Sequence, residues 1–415
     1  MSNKGFRLLY ISSDKFPPFR VDVAVLFGKK MVVRGNRIDW VLQSDKDLGV
    51  SKKEQWWGGE VYVGSTNNQA SILGKLSKIL KDLVNDFRVI NLAVENDYDF
   101  IQVKDKFIAT LFAIYAAKKN NAKFIYWLSY PFPEAYLYRY QQGTARFPIL
   151  NLFRGKFFKW LLYKYIMIKA DHVFLQSEQM KRDVIAEGVD ENKLTSIPMG
   201  VEISSVPYDE NFQESDSDEL KVVYLGTLTR VRKMDFLIRA FSEVVHVLPN
   251  AKLYLVGSGD YESDINFLKQ EVLKYKLTDS VVFTGFLPME KAWEYVKEAN
   301  VCVSPFYPTP ILNSTSPTKL IEYMAMAKAV VANDHPEQGL VINESKAGIC
   351  VPYEEKSFGQ AIVTLLRNPV LAKEMGQRGR LYAVENRSYD VIADKLDAYY
   401  CSILADSVGI QEIGK

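Results

Sequence analysis

Two clusters of residues in this 415-residue chain have types and spacing suited to chemistry. The first is Ser314-Thr315-Ser316-Pro317-Thr318-Lys319-Leu320-Ile321-Glu322, where small hydroxyl residues and a proline run into a strong helix pattern. This order predicts Ser316 as the N-cap and Pro317 as the first helical residue. The amides of that first turn, with the positive end of the helix dipole, make an anion site beside Thr318 and Lys319. Glu322 falls one turn further along the same face, where a carboxylate suits a pair of ribose hydroxyls. The second cluster is Gly226-Thr227-Leu228-Thr229-Arg230-Val231-Arg232-Lys233, a cationic loop ahead of an amphipathic helix at 234–247. Each cluster alone also fits a bland reading, a capped helix in one case and a solvated loop in the other. Together they read as two jaws of a diphosphate clamp.

The elements that must position these jaws alternate between short β-rich runs and helical segments, the pattern of βα units on a parallel sheet. In the first half strands are expected at 8–12, 38–43, 89–92, 100–103, 124–127, 172–176 and 194–197, with helices at 24–34, 108–119 and 178–187. Residues 206–219 hold six acidic residues with Pro207, Asn211, Ser215 and Ser217, and form the expected linker. The alternation restarts with strands at 221–225, 252–256, 281–284, 301–304, 329–332 and 348–351. Three of these end at Gly226, Gly257 and Gly285, at the carboxyl edge where open α/β sheets bind ligands. Plain turn chemistry explains any one of them; three in one domain point to a site.

Composition bounds the rest. A length of 415 residues argues for two domains or three, and 48% hydrophobic with 25% charged residues describes an ordinary globular chain. Disorder, collagen-like repeats and a disulfide scaffold are excluded. The net charge of +2 gives no sign of a nucleic-acid partner. Cys302, Cys350 and Cys401 are odd in number and lack metal-ligand spacing, so reduced thiols in a cytosolic protein are expected. The amino terminus leaves no room for a signal peptide before the first strand, and the longest apolar stretch, 107–117, is far below the roughly 20 residues of a membrane span.

These features resemble the retaining glycosyltransferases of family 4. The resemblance runs through Ala170-Asp171-His172-Val173-Phe174-Leu175-Gln176-Ser177-Glu178 and Ile197-Pro198-Met199-Gly200-Val201-Glu202 in the first half. It continues in Leu255-Val256-Gly257-Ser258-Gly259, in Val282-Phe283-Thr284-Gly285-Phe286, and in the segment from Leu320 to Ala332. It implies the GT-B plan, an α/β fold of two facing Rossmann-like domains with a deep cleft between them. The first, 1–205, would take the acceptor, with a last helix at 389–415 crossing back onto it; the second, 220–388, would take a UDP-, GDP- or ADP-linked sugar. It also implies a hexosyl transfer with retained configuration and no required metal or cofactor. Arg232 stands where the family has its diphosphate-binding Lys, with Lys233 adjacent, and Glu322 matches the second glutamate of the family's paired-glutamate motif. Gly226, Thr227, Arg230, Gly257, Gly285, Phe286, Ser316, Pro317, Thr318 and Lys319 complete the implied donor site.

The chain also departs from that pattern. Ser314 replaces the first glutamate, and Thr227 replaces an arginine, so that Arg230 is the expected substitute and Lys319 an added cation. In the first half a glycine-pair loop is replaced by Pro17-Pro18-Phe19-Arg20-Val21-Asp22, and a His-Asp pair by Trp127-Leu128-Ser129-Tyr130. By position at strand ends, Arg20, Asp22, Asp105, Ser129 and Tyr130 are the acceptor-side candidates. Two rivals remain: a catalytically silent glycan-binding protein of the same fold, motivated by Ser314 and Thr227, and another enzyme class of that fold, a sugar-nucleotide epimerase or phosphorylase. The second would need acid and base side chains around a sugar, and the only histidines are His172, His246 and His335.

One further segment stands out. Residues 135–170 contain no acidic residue but interleave lysines and arginines with aromatics, among them Lys156, Lys159, Trp160 and Lys164. Such a helix can lie in an anionic lipid interface, or pack its apolar stripe on its own domain. The first choice places the protein on the inner face of the cell membrane, where a lipid-linked or glycan acceptor of surface polysaccharide synthesis would be met.

Overall fold

The structure, a computed structural model, describes residues 5–44, 51–65, 72–210 and 218–413. The chain divides into two compact units, residues 1–198 with 389–415, and residues 199–388. The division falls between Pro198 and Met199, upstream of the expected linker, of which residues 211–217 lie outside the described residues.

Unit 1 contains β1 (Arg7–Phe16), β2 (Arg37–Ser44), β3 (Lys52–Trp56), β4 (Gly59–Val63), β5 (Phe100–Lys104), β6 (Lys123–Leu128), β7 (His172–Leu175) and β8 (Leu194–Ser196). They form one sheet in the order β3-β4-β2-β1-β5-β6-β7-β8, parallel except where β3 runs against β4. The inner strands are buried on both faces, which is why Leu8 to Ile11 and Phe124 to Leu128 read as unbroken apolar runs. The crossovers through α1 (Ile72–Glu95), α2 (Ile108–Lys119), α3 (Phe132–Gln141) and α4 (Pro148–Leu161) all step the same way across the sheet. Right-handed crossover therefore sets α1, α2 and α4 on one face, over a core of Val89, Leu92, Ala113 and Leu161. The connection from β1 to β2 steps the opposite way. Its π-helix, Asp22–Met31, lies on the other face, where Phe27 packs in one core with Tyr389, Leu396 and Tyr400 of the carboxyl-terminal helix Tyr389–Ile413.

One expectation fails here, and one element was not foreseen. Residues 89–92 are not a strand but the last turns of α1, where Val89, Leu92 and Ala93 repeat at helical spacing into the core. A short apolar run does not by itself distinguish the two states. The β3–β4 hairpin was not expected, because its outer strand Lys52–Trp56 is exposed and mostly charged or polar, as sheet edges tend to be.

Unit 2 contains β9 (Leu220–Leu225), β10 (Ala251–Val256), β11 (Val281–Gly285), β12 (Val301–Ser304), β13 (Val330–Asn333) and β14 (Gly348–Val351). They form an all-parallel sheet in the order β11-β10-β9-β12-β13-β14. The order reverses beside β9, between the neighbours β10 and β12. Ligands bind at such a point, beyond the carboxyl ends of the strands.

Candidate functional site

At that edge of unit 2 the three glycines stand shoulder to shoulder. The Gly226 N–H donates to the Val256 carbonyl at 2.8 Å, and Gly257 and Gly285 form an isolated bridge. A β-carbon on Gly257 would lie 2.0 Å from the Gly226 carbonyl oxygen, so only glycine fits between the two chains. Gly285 has open space around it and a φ of 71°, and there the turn alone demands glycine. Gly226 differs from both: a β-carbon there would sit 2.0 Å from Cε and 2.6 Å from Nζ of Lys319. The lysine stem crosses the glycine's open face.

Lys319 belongs to the helix Thr318–Ala325, which is fixed to the sheet edge by the Tyr323 hydroxyl, an acceptor for the Leu225 N–H at 2.8 Å. Ser316 is not its cap. The helix starts one residue later than expected, with Pro317 at the N-cap and no side-chain cap, and Ser316 Oγ instead accepts from the Met199 N–H at 3.0 Å. The first-turn amides, with Thr318 leading, keep the donor character of an uncapped helix start. Ser314 is buried and donates to the Pro310 carbonyl at 3.2 Å.

The charges on this edge act on one another. Burial and the Arg232 guanidinium pull Lys319 down to about 8, while Glu322 opposes the shift. Burial pushes the Glu322 carboxyl up from its ordinary range, and Lys319 opposes that in turn. Arg232 lies over the Phe306 ring at 5.6 Å and Lys233 over the Tyr307 ring at 5.9 Å. Lys233 holds a left-handed φ of 52° that ends the 3-10 turn Arg230–Arg232. The Thr227 carbonyl accepts from the Tyr224 hydroxyl at 3.2 Å. The Arg230 guanidinium lies over the Phe267 ring at 4.8 Å and 3.9 Å from Asp264. The cation beside Thr227 is Lys319, which reaches Gly226 from another helix. Phe286, after Gly285, is 81% exposed, an aromatic plane free to stack.

A cavity of about 540 Å³ lies elsewhere in unit 2, lined by Leu220, Asn300, Ala329 and Leu366. Leu220 begins β9, and Asn300 and Ala329 precede β12 and β13, so the cavity is at the wrong end of the sheet for a ligand site of this fold.

In unit 1 the acceptor-side candidates separate into two groups. Asp22 is bound by Arg20 at 3.0 and 3.1 Å and by Lys104 at 2.9 Å, and Lys104 also lies 3.4 Å from Asp14. Burial acts to raise the Asp22 pKa, but Lys104 and Arg20 outweigh it and hold the carboxyl at about 2. Arg20, Asp22 and Lys104 are thus joined in one ion-pair network, with Asp22 and Lys104 buried and Arg20 partly exposed. Its centre, Lys104, escaped the sequence reading because it is a single charge at the end of an apolar strand. Asp105 turns out of β5 with a φ of 57° and accepts from both the N–H (2.8 Å) and the hydroxyl of Ser129. Burial raises its pKa against the pull of Lys104 and Ser129. Tyr130 meets Phe132 edge-on at 4.9 Å.

On α4, Lys156 is exposed and Trp160 is 56% exposed. Lys159 pairs with Glu187 at 2.6 Å, and Lys164, beyond the helix end, donates to the Glu187 carbonyl. These two lysines are held against the protein. Among the described residues no helix is long and apolar enough to cross a membrane.

The sequence matches the family described as Glycosyltransferase Family 4 over residues 24–205, and the family described as Glycosyl transferases group 1 over residues 219–368. It is 25% identical over 298 residues to an uncharacterized glycosyltransferase of Methanocaldococcus jannaschii, MJ1069, covering 70% of this chain and 71% of that protein. It is 22% identical over 292 residues to the alpha-monoglucosyldiacylglycerol synthase of Streptococcus pneumoniae, covering 68% of this chain and 62% of that one. The fold is similar to that of Anabaena HepE in complex with UDP-glucose, with a TM-score of 0.66, 16% identity, and coverage of 96% of this chain and all of that one (100%).

Proposed function

The chain belongs to family 4 of the glycosyltransferases and has their GT-B fold, and from this premise we propose that it is a retaining hexosyltransferase that needs no metal. Its donor is a nucleotide sugar held by unit 2, and its acceptor a glycan or lipid-linked glycan met by unit 1. The observation that carries the reading is the meeting of Arg232, Lys319 and Glu322 at the glycine edge, where the Lys319 stem crosses Gly226 and feels both the Arg232 and the Glu322 charge.

In the proposed reaction the bond between the anomeric carbon and the diphosphate oxygen breaks. The acceptor oxygen bonds to the same face of that carbon, and its proton passes to the leaving phosphate. Arg232, Lys233, Lys319 and the uncapped amides of the helix Thr318–Ala325 stabilise the negative charge that develops on the diphosphate. Fixed donors of this kind contribute on the order of 10² to 10³ in rate for each one removed. Glu322 accepts from the donor ribose, and Phe286 stacks on the base. Asp105, oriented by Ser129, faces the acceptor, with Tyr130 beside it. Ser314, neutral and turned to the Pro310 carbonyl, leaves the sugar to be recognised without a carboxylate at that point.

The named activity of the pneumococcal relative, a diacylglycerol glycolipid synthase, supports a lipid-linked acceptor and a peripheral place on the inner membrane face, with Lys156 and Trp160 of α4 turned to lipid. The bound donor in the HepE complex supports a uridine nucleotide. A thermal-shift panel of UDP-, GDP- and ADP-sugars tests the donor reading, because a ligand that binds the folded state raises its melting temperature. One of the three classes is expected to stabilise wild type, and neither Arg232→Ala nor Glu322→Ala. A silent glycan-binding protein would bind glycan and show no nucleotide response.

A further inference from the structure

The handedness of the crossovers sets α1, α2 and α4 on one face of the sheet, with α1 packed along α2 and α4 reaching the core through Phe158 and Leu161. The outer stripe of a helix in such a layer is ordinarily charged or polar. Here it is apolar on all three. On α1, Leu80, Val84 and Phe87 follow one another at spacings of four and three, exposed by 63%, 70% and 51%. On α2 the exposed residues are Ile108, Leu111 and Tyr115, and on α4 they are Ile149, Phe153, Phe157 and Trp160. Ring contacts tie the three helices together beneath and beside these stripes. Phe87 of α1 meets Phe112 of α2 at 5.5 Å, and Phe107 at the start of α2 stacks on Phe158 of α4 at 4.5 Å. A patch of this breadth is unusual on a protein surface and marks an interaction site.

We propose that this three-helix surface seats in the headgroup layer of an anionic bilayer, with α1 and α2 entering it alongside α4. The inference rests on the peripheral-membrane reading above and deepens it, since only the segment of α4 was legible as lipid-facing. Charge decides the occupant. Lys118 and Lys119 end α2, and Arg154 and Lys156 stand on α4, all exposed, the α4 pair within a stretch, 135–170, that has no acidic residue. Anionic headgroups complement such a surface. A second copy of the chain would bring the same cations against one another. Lys159 and Lys164, held by Glu187, add little to this attraction, so insertion of apolar side chains carries the binding.

The test is co-sedimentation of the full chain with vesicles of phosphatidylcholine alone and of phosphatidylcholine with phosphatidylglycerol. Wild type is compared with Leu80→Asp/Val84→Asp on α1 and Phe153→Asp/Phe157→Asp on α4, with nucleotide binding by unit 2 and circular dichroism as checks of folding. Each pair is expected to weaken partition into the anionic vesicles by on the order of tenfold or more. If wild type sediments and only the α4 pair weakens it, the part assigned to α1 is wrong while the peripheral reading stands. If wild type does not sediment with either vesicle, both are wrong. If light scattering shows a dimer that the α1 pair dissociates, with vesicle binding unchanged, the surface is a contact between copies and the proposal is overturned.

Discussion

The stem of Lys319 passes so close over Gly226 that a β-carbon on the glycine would fall 2.0 Å from Cε. The obstacle is the flexible end of a side chain rather than backbone, so the lysine can move aside at small cost. The glycine's φ of 155° also disfavours any side chain, so Gly226→Ala is expected to lower the melting temperature modestly as well as to displace the lysine. Donor affinity then falls by about tenfold, the value of one charged contact. Calorimetric titration with the donor nucleotide checks this, and the double variant Gly226→Ala/Lys319→Ala should bind no worse than Lys319→Ala alone.

Gly257 is less forgiving still. Its added β-carbon would meet the Gly226 carbonyl oxygen at 2.0 Å, and that backbone cannot turn away without disturbing β9 and β10. Gly257→Ala should destabilise unit 2 by about 2–3 kcal/mol, in the range of overpacked sites. Denaturant unfolding followed by a probe in unit 2 measures it.

Donor binding should depend on pH through Lys319. Burial and Arg232 bring its pKa to about 8 against the opposing Glu322, so the ammonium is present below that pH and lost above it. Tyr224, raised to about 12 by burial, stays neutral in this window. A diphosphate favours the ammonium. Donor affinity is therefore expected to fall as pH rises from about 7 to about 9, approaching tenfold per unit above 8. Titrations in buffers of different ionisation enthalpy should show proton uptake on binding near pH 8. Lys319→Arg, which stays charged, should flatten the profile.

Asp22 and Asp105 should respond differently. Asp22→Asn leaves Lys104 buried beside Asp14 alone, and breaking such a pair costs about 3–5 kcal/mol. With a folded pKa of about 2 against an ordinary 3.8, Asp22 stabilises the fold fully above about pH 4. That contribution disappears as pH falls through 2. Asp105→Asn keeps a residue tolerant of the left-handed φ. It should leave stability and donor affinity nearly intact while lowering turnover on acceptor. Steady-state kinetics with acceptor, set beside acid unfolding of each variant, separates the two roles.

Much of this architecture is legible in the sequence because strands buried on both faces leave continuous apolar runs, and the glycine that follows each site strand marks its end. Lys319 and Glu322 are legible as a pair because helical spacing fixes which side chains share a face. What is hidden depends on partners distant in sequence. Ser316 has the composition of an N-cap, but its hydroxyl accepts from Met199, 117 residues away. Arg230 has the position of a clamp residue, and its neighbours Asp264 and Phe267, more than thirty residues on, could not be read from the loop itself. The outward stripe of α1 was hidden for a related reason: within one helix an apolar residue reads as core, and only the packing of three helices on one sheet face shows which stripe remains outside.

The most direct measurement is calorimetric titration of wild type and the Arg232→Ala/Lys319→Ala variant with UDP-glucose and the corresponding GDP- and ADP-sugars. The predicted result is saturable one-to-one binding of one nucleotide class by wild type, weakened by on the order of a hundredfold or more in the variant with its fold intact. Absence of binding by every nucleotide sugar, or equal binding by wild type and the variant, would contradict the assignment of the donor to the glycine edge of unit 2.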